Sequence, residues 1–298
     1  MIYTLTLNPA VDYSMCISSI SEGQTNRSQG ESILFGGKGI NVSCVLKNLG
    51  VNSMALGFIA GFTGDALEAS LKEKEIDTDF VRLESGFTRI NVKLKGKSET
   101  EINASGPNID ESALSQLFSK LFALKSGDTL VLSGSVPASL SNDIYADIMG
   151  ALYPKNIKFA VDASGELLLK TLKYKPFIIK PNLAELEGIC NKSLRTQNAI
   201  IKAARELIQK GAQNVLVSMG KKGAILVCDS GEVFIQKGHK GKAINSVGAG
   251  DSTLAAFLYA EEKGFEYALE FANAAGAACA FSQNLPNYEQ IKQLMLNK

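Results

Sequence analysis

Two short stretches of this chain combine backbone freedom with polar side chains in a pattern suited to chemistry on an anion. In Asn245-Ser246-Val247-Gly248-Ala249-Gly250-Asp251-Ser252-Thr253, small residues lead into an apolar helical pattern carried by Leu254, Phe257 and Leu258. Such a turn points backbone N–H groups outward at a helix start, where the helix dipole favours negative charge. Gly248, Ala249 and Gly250 offer those amides, and their small side chains let an incoming group approach. Asp251 adds a carboxylate beside the anion hole, a base for a hydroxyl. That combination is what phosphoryl transfer to an alcohol requires. An Asp at a helix start is also an ordinary cap, so the stretch gains meaning from its companion.

The companion is Phe35-Gly36-Gly37-Lys38-Gly39-Ile40-Asn41-Val42. It too runs from a glycine-rich turn into a helix, with Val42, Val45, Leu46 and Leu49 as the buried stripe. Lys38 and Asn41 stand about one helical turn apart and share a face. A cation and an amide there suit a polyhydroxylated, anionic small molecule. Neither turn spells a dinucleotide fingerprint, since Gly37-x-Gly39 is followed by Val42 and Gly248-x-Gly250 by Thr253. Gly96-Lys97-Ser98 looks like the tail of a Walker loop, but the earlier glycine would fall at Asn91. His239 is the only histidine, which argues against a Ser-His-Asp or histidine–metal mechanism.

The elements that must hold these stretches alternate along the chain. Short apolar runs at 2–7, 53–59, 129–133, 158–162, 177–180 and 214–218 read as strands. Helical patterns fall between them at 38–49, 64–75, 110–123, 141–152, 182–189 and 197–209, and the chain beyond Gly264 reads as helical. Alternation of this kind predicts an α/β fold with a mostly parallel sheet and helices on both faces. Two regions, 13–20 and 81–104, alternate like strands with no helix between, with turn signals at Glu84-Ser85-Gly86 and Gly96-Lys97-Ser98. They predict a small β-sheet lid, assigned here to about 13–34 and 81–104 within a single domain of 1–298.

Composition narrows the function classes. Lys+Arg 31 against Asp+Glu 30 gives a net charge of +1, without the basic footprint of a nucleic-acid binder. No apolar run reaches membrane-spanning length, and the first residues lack a charged region followed by a signal-like core. The 5 cysteines are widely spaced, which predicts reduced thiols and a cytoplasmic enzyme without a zinc or disulfide framework.

The chain resembles the ribokinase-like (PfkB-type) carbohydrate kinases, within them the 1-phosphofructokinase and tagatose-6-phosphate kinase branch. The resemblance runs nearly end to end. It rests on Leu5-Thr6-Leu7-Asn8-Pro9-Ala10-Val11-Asp12, Gly36-Gly37-Lys38-Gly39-Ile40-Asn41 and Thr88-Arg89-Ile90-Asn91-Val92. It continues through Ser133-Gly134-Ser135-Val136-Pro137, Lys180-Pro181-Asn182-Leu183-Ala184-Glu185, Val217-Ser218-Met219-Gly220 and Val247-Gly248-Ala249-Gly250-Asp251-Ser252.

The resemblance implies a ribokinase-like three-layer sandwich and a kinase using ATP and Mg²⁺. It implies that Asp12 binds sugar hydroxyls, with Gly37, Lys38 and Asn41 completing the platform. Arg89, on a lid strand, suits a phosphate that the acceptor already carries, because guanidinium binds phosphate bidentately. Arg27 is a second candidate for that phosphate. Asn182 and Glu185 match the family's Asn-x-x-Glu motif and can hold Mg²⁺ through its waters. Lys180 is a candidate to neutralise donor phosphates, and Ser218 and Gly220 end a strand where nucleotide phosphates bind in open α/β sheets. The implied reaction is phosphorylation of fructose 1-phosphate at its 6-hydroxyl, with tagatose 6-phosphate as the other acceptor. The implied partners are small molecules, and a homodimer is compatible with the resemblance. A catalytically silent sugar-phosphate-binding regulator on the same fold is the alternative of another class; it would not need Asp251, the anion hole or the Asn182/Glu185 pair.

Overall fold

The computed structural model describes residues 1–96 and 99–296. The strands are β1 (Ile2–Thr6), β2 (Ala10–Cys16), β3 (Gly30–Gly36), β4 (Ser53–Ala60), β5 (Asp77–Thr78), β6 (Val81–Leu83), β7 (Arg89–Lys95) and β8 (Glu99–Ile102). They continue as β9 (Thr129–Ser133), β10 (Lys158–Asp162), β11 (Ile178–Ile179), β12 (Asn214–Ser218), β13 (Ala224–Cys228) and β14 (Val233–Gln236). The helices are α1 (Lys38–Asn48), α2 (Gly61–Glu73), α3 (Glu111–Leu121), α4 (Ile144–Leu152) and α5 (Gly165–Leu169). They end with α6 (Leu183–Cys190), α7 (Gln197–Gln209), α8 (Ala249–Ala260), α9 (Phe265–Ala280) and α10 (Tyr288–Leu296).

Ten strands form one sheet in the order β14-β13-β12-β11-β10-β9-β1-β4-β5, with β6 on β4. Its pairs are parallel from β12 through β5, and the β13–β14 hairpin closes one edge antiparallel. Successive side chains of a strand face opposite sides, and here both sides are apolar. Leu130, Leu132, Phe159, Val161, Val215 and Val217 join the core under α3, α4, α6 and α7. Val131, Ala160 and Leu216 join the second core, under α1, α8, α9 and α10. This is why 129–133, 158–162 and 214–218 read as continuous apolar runs, as strands buried on both faces do. The sandwich of helices on either side of a mostly parallel sheet is the expected one.

Four strands form a separate small sheet in the order β3-β2-β7-β8. Here the expectation needs two corrections. β2 starts at Ala10, earlier than the predicted 13, because its parallel register with β7 begins at Ala10↔Arg89. β6, expected in the lid, pairs Val81 with Phe58 of β4 and buries Val81 in the main core. Arg89 and Asn91 instead begin the small sheet's share of that region. Lys97 and Ser98, read as part of a turn signal and a Walker-like tail, lie outside the described residues. The β13–β14 hairpin was not among the predicted strands, and the strand predicted at 177–180 is reduced to Ile178–Ile179.

Candidate active site

The two glycine-rich stretches meet. Helix α1 docks on the end of β1 because Gly37 and Gly39 leave no side chain in the way. A Cβ on either would lie 2.6 Å from the Thr6 side chain, and Gly37 holds φ 141°. Thr6 Oγ1 then accepts from the Ile40 amide at 3.1 Å. Helix α8 begins after Gly248 in a left-handed conformation, φ 83°. A Cβ there would collide with Leu285 at 2.7 Å. With the two helices so placed, the Asn41 amide donates to Asp251 Oδ2 at 2.8 Å across 210 residues of chain.

Asp251 is buried at 5% exposure in the first turn of α8. Burial, and after it the nearby charge of Asp162, push its carboxyl up to about 6, against the opposing pull of Asn41, Lys180 and Lys38. The amides of a first helical turn have no partner within the helix, and no side chain caps this one.

Beneath it lies a group that the sequence reading passed over. Asp162, at the end of β10 and 1% exposed, pairs with Lys38 at 3.1 Å and with Lys180 at 3.1 Å. Burial drives its carboxyl upward, but Lys180 and Lys38 outweigh burial and hold it below the ordinary carboxylate range. For Lys38, burial works downward, yet Asp162, Asp251 and Glu185 keep the ammonium above its usual value. A Cβ on Gly250 would lie 3.1 Å from Lys180 Nζ, so glycine here leaves room for this cation to stand close to the helix start. A carboxylate ending a buried parallel strand stands where open α/β sheets bind ligands; that position was the available signal for Asp162.

One cavity of about 650 Å³ gathers most of the predicted residues: Asp12, Gly37, Lys38, Asn41, Arg89, Lys180, Asn182, Glu185, Ser218, Gly220, Gly248, Gly250 and Asp251 all line it. An adjoining pocket of about 280 Å³, lined by Ser218, Gly220, Ala249, Gly250, Gly276 and Phe281 among others, opens beside the start of α8. The apolar residues in its wall suit a flat ring, and the shared wall puts that ring next to Asp251's helix. Arg27 is the exception. It lies exposed in the loop between β2 and β3, outside the cavity lining.

The small sheet brings its own polar face. Asn91 donates to Asp12 Oδ1 at 2.9 Å. Arg89 donates to the Ala104 carbonyl at 3.3 Å and to Ser135 Oγ at 3.4 Å, while its Nε is buried without a partner. Burial lowers the guanidinium's proton affinity, and Asp12 partly opposes that. Ser135 and Asn91 both line the cavity, though the sequence reading gave neither a role.

Asn182 and Glu185 are found in a different arrangement from a pair simply open to solvent. Asn182 Oδ1 accepts from the Glu185 amide at 2.9 Å, and Glu185 Oε2 accepts from the Asn182 amide at 2.8 Å. Together they form a complete capping box at the start of α6. The box uses one carboxylate oxygen of Glu185. Among the described residues no cluster of three or more His, Cys, Asp or Glu could hold a metal.

The description "pfkB family carbohydrate kinase" matches residues 5–288. The chain belongs to this family. The kinase is 42% identical to the 1-phosphofructokinase of Borreliella burgdorferi over 99% of its own length and 96% of that protein. It is 37% identical to the D-tagatose-1-phosphate kinase of Bacillus licheniformis, over 98% of this chain and 97% of that one. Among solved structures, phosphofructokinase-2 of Escherichia coli in complex with substrates and products superposes with a TM-score of 0.92 at 28% identity, covering 99% of this chain and 98% of that one. It is therefore a phosphotransferase acting on a sugar hydroxyl, and ATP is the donor such a kinase uses.

Proposed function

We propose that this kinase transfers the terminal phosphoryl group of ATP to the 6-hydroxyl of fructose 1-phosphate. The observation that carries the reading is the continuity of the site. Asp251 lines one cavity together with the small sheet's Asp12 and Arg89 and with Ser218, Gly220 and Lys180, the residues read as the donor side.

In this reading Asp12 and Asn41 orient the acceptor's hydroxyls, and Arg89, whose NH groups make only long contacts of 3.3 and 3.4 Å, holds the phosphate it already carries. The small sheet acts as a lid that keeps competing water from the phosphoryl group. Asp251 accepts the hydroxyl proton as the new O–P bond forms and the bond to the bridging oxygen of ATP breaks, releasing ADP. A carboxylate shifted to about 6 is a better base near neutral pH than an ordinary one. The first-turn amides of α8, with Lys180 beside Gly250, stabilise the charge on the group in flight. Mg²⁺ fits as an ion that keeps its waters: Glu185 has a carboxylate oxygen outside its capping box, and Asn182 stands beside it. When bound, the ion would neutralise donor phosphate charge.

A second acceptor is favoured by one finding, the likeness to a D-tagatose-1-phosphate kinase. Tagatose and fructose differ only in configuration at C4, so the same pocket can present either 6-hydroxyl. The deciding experiment is a coupled assay with fructose 1-phosphate, tagatose 1-phosphate, tagatose 6-phosphate and fructose 6-phosphate. The highest kcat/KM should belong to fructose 1-phosphate. A preference for either 6-phosphate would overturn the assignment of the acceptor's ends, and a preference for tagatose 1-phosphate would overturn the sugar alone.

A further inference from the structure

Lys93 is a lysine at 8% exposure on a strand of the small sheet. Lysine is almost never fully buried unless paired, because taking the ammonium out of water is expensive. Its partner is Asp12: Lys93 Nζ lies 3.1 Å from Asp12 Oδ2, and Glu101 is 3.9 Å away on the neighbouring strand. Asn91 donates to the other oxygen of the same carboxylate, Oδ1, at 2.9 Å.

Spacing on one strand explains the convergence. Arg89, Asn91 and Lys93 alternate along β7 and so share a face. The parallel register sets Asp12 directly opposite Asn91. Asp12 is therefore gripped at both oxygens from one strand, by an amide and by a buried cation. Each oxygen keeps lone-pair capacity for a further donor. Asn91 also has a buried Oδ1 with no partner.

We infer that Lys93 is a positioning residue of the acceptor site, a buried brace that holds Asp12 in the one orientation from which it can accept sugar hydroxyls. The inference rests on the reading that Asp12 faces the acceptor. Its division of labour with Arg89 is definite. Arg89 meets a phosphate, so its loss weakens only phosphorylated acceptors. Lys93 acts through Asp12, which meets hydroxyls, so its loss weakens phosphorylated and unphosphorylated sugars alike.

The test is a double-mutant cycle measured with fructose 1-phosphate and with fructose as acceptors. Lys93→Met should raise the acceptor KM about tenfold or more for both sugars, the scale of losing a charge-assisted contact. The KM for ATP should not move, and kcat should stay within about threefold. Lys93→Arg, which keeps a cation, should recover most of the acceptor KM. In an Asp12→Asn background, Lys93→Met should add less than about threefold, because residues acting through one another are not additive. Unchanged acceptor KM, or full additivity with Asp12→Asn, would overturn the brace. A rise in both KM values with lowered kcat that Lys93→Arg fails to recover would show a structural role and overturn it too. If Lys93→Met does not fold, Lys93→Gln is read by the same criteria. Asp12→Asn alone separates the two claims: no effect on acceptor KM there would contradict the acceptor-site reading, whereas an effect there with none from Lys93 would contradict only the brace.

Discussion

Helices α6 and α8 start at the rim of the same cavity, and each carries an acid at its third position, Glu185 in one and Asp251 in the other. The two acids behave in opposite ways. Glu185 folds back on its own helix start and, with Asn182, closes a capping box. Asp251 makes no cap; it turns to Asn41 of another helix and is buried among Asp162, Lys38 and Lys180. The preceding residue decides between them. Asn182 offers a side chain that receives the third amide, whereas Gly248 offers none and adopts a backbone that most residues avoid. The start of α6 is capped by its own side chains, whereas at α8 the Ala249 amide donates to the Ser246 carbonyl at 3.3 Å and no side chain caps the turn.

The largest consequence falls on the open start. Asp251→Asn should lower kcat about a hundredfold or more, the lower range for loss of a general base, while ATP and sugar still bind. Turnover within threefold of wild type in a steady-state assay would remove Asp251 from the base role. The same substitution should raise the melting temperature at pH 8. Asp251 has its carboxyl raised from 3.8 to about 6, so its contribution to stability is present at low pH and lost as pH rises through about 6. An uncharged amide avoids that loss, and a lower melting temperature at pH 8 would contradict it.

At the closed start the effect should be smaller and confined to the metal. Gln serves a capping box as well as Glu, so Glu185→Gln keeps the helix start and removes only the charge. The free Mg²⁺ needed for half-maximal rate should rise roughly tenfold, the scale seen for outer-shell groups of metal sites, with the acceptor KM unchanged. An unmoved magnesium titration would reduce Glu185 to a cap. The smallest effect on activity should come from Asp162→Asn, read as a displaced pH profile, although losing the counter-ion of Lys180 and Lys38 should lower stability. Wild-type kcat/KM should decline as pH falls through about 6, where Asp251 takes up a proton. Removing Asp162 takes away a charge that raises Asp251 and frees Lys180 and Lys38 to lower it, so the acid limb should move to lower pH. A limb that moves up, or stays, would break the link between the two carboxylates.

The same contrast marks what could be read from residues alone. The start of α8 was legible because Gly-Ala-Gly-Asp before an apolar helix has few structural uses, and its neighbours do line one cavity. Strands 129–133, 158–162 and 214–218 and helix 197–209 stand at their predicted bounds, since burial on both faces or a sharp amphipathic stripe leaves little choice. The capping box was not legible as such: an Asn and a Glu three apart look identical whether they serve a helix or an ion. Asp162 offered only its place at the end of an apolar run, with no glycine-rich turn of the kind that marks Lys38 and Asp251. Partnerships across the chain were out of reach altogether, because nothing local in Val81–Leu83 tells which sheet it joins, and nothing near Asn41 points to Asp251.

The central claim is that phosphoryl transfer takes place at the open start of α8 with Asp251 as the base. A crystal structure of the kinase with ADP, Mg²⁺, aluminium fluoride and fructose 1-phosphate tests it directly. The planar fluoride should rest within hydrogen-bond reach of the first-turn amides of α8, with the sugar's 6-hydroxyl between it and the Asp251 carboxylate. A fluoride seated away from those amides, or a 6-hydroxyl that meets some other base, would contradict the account.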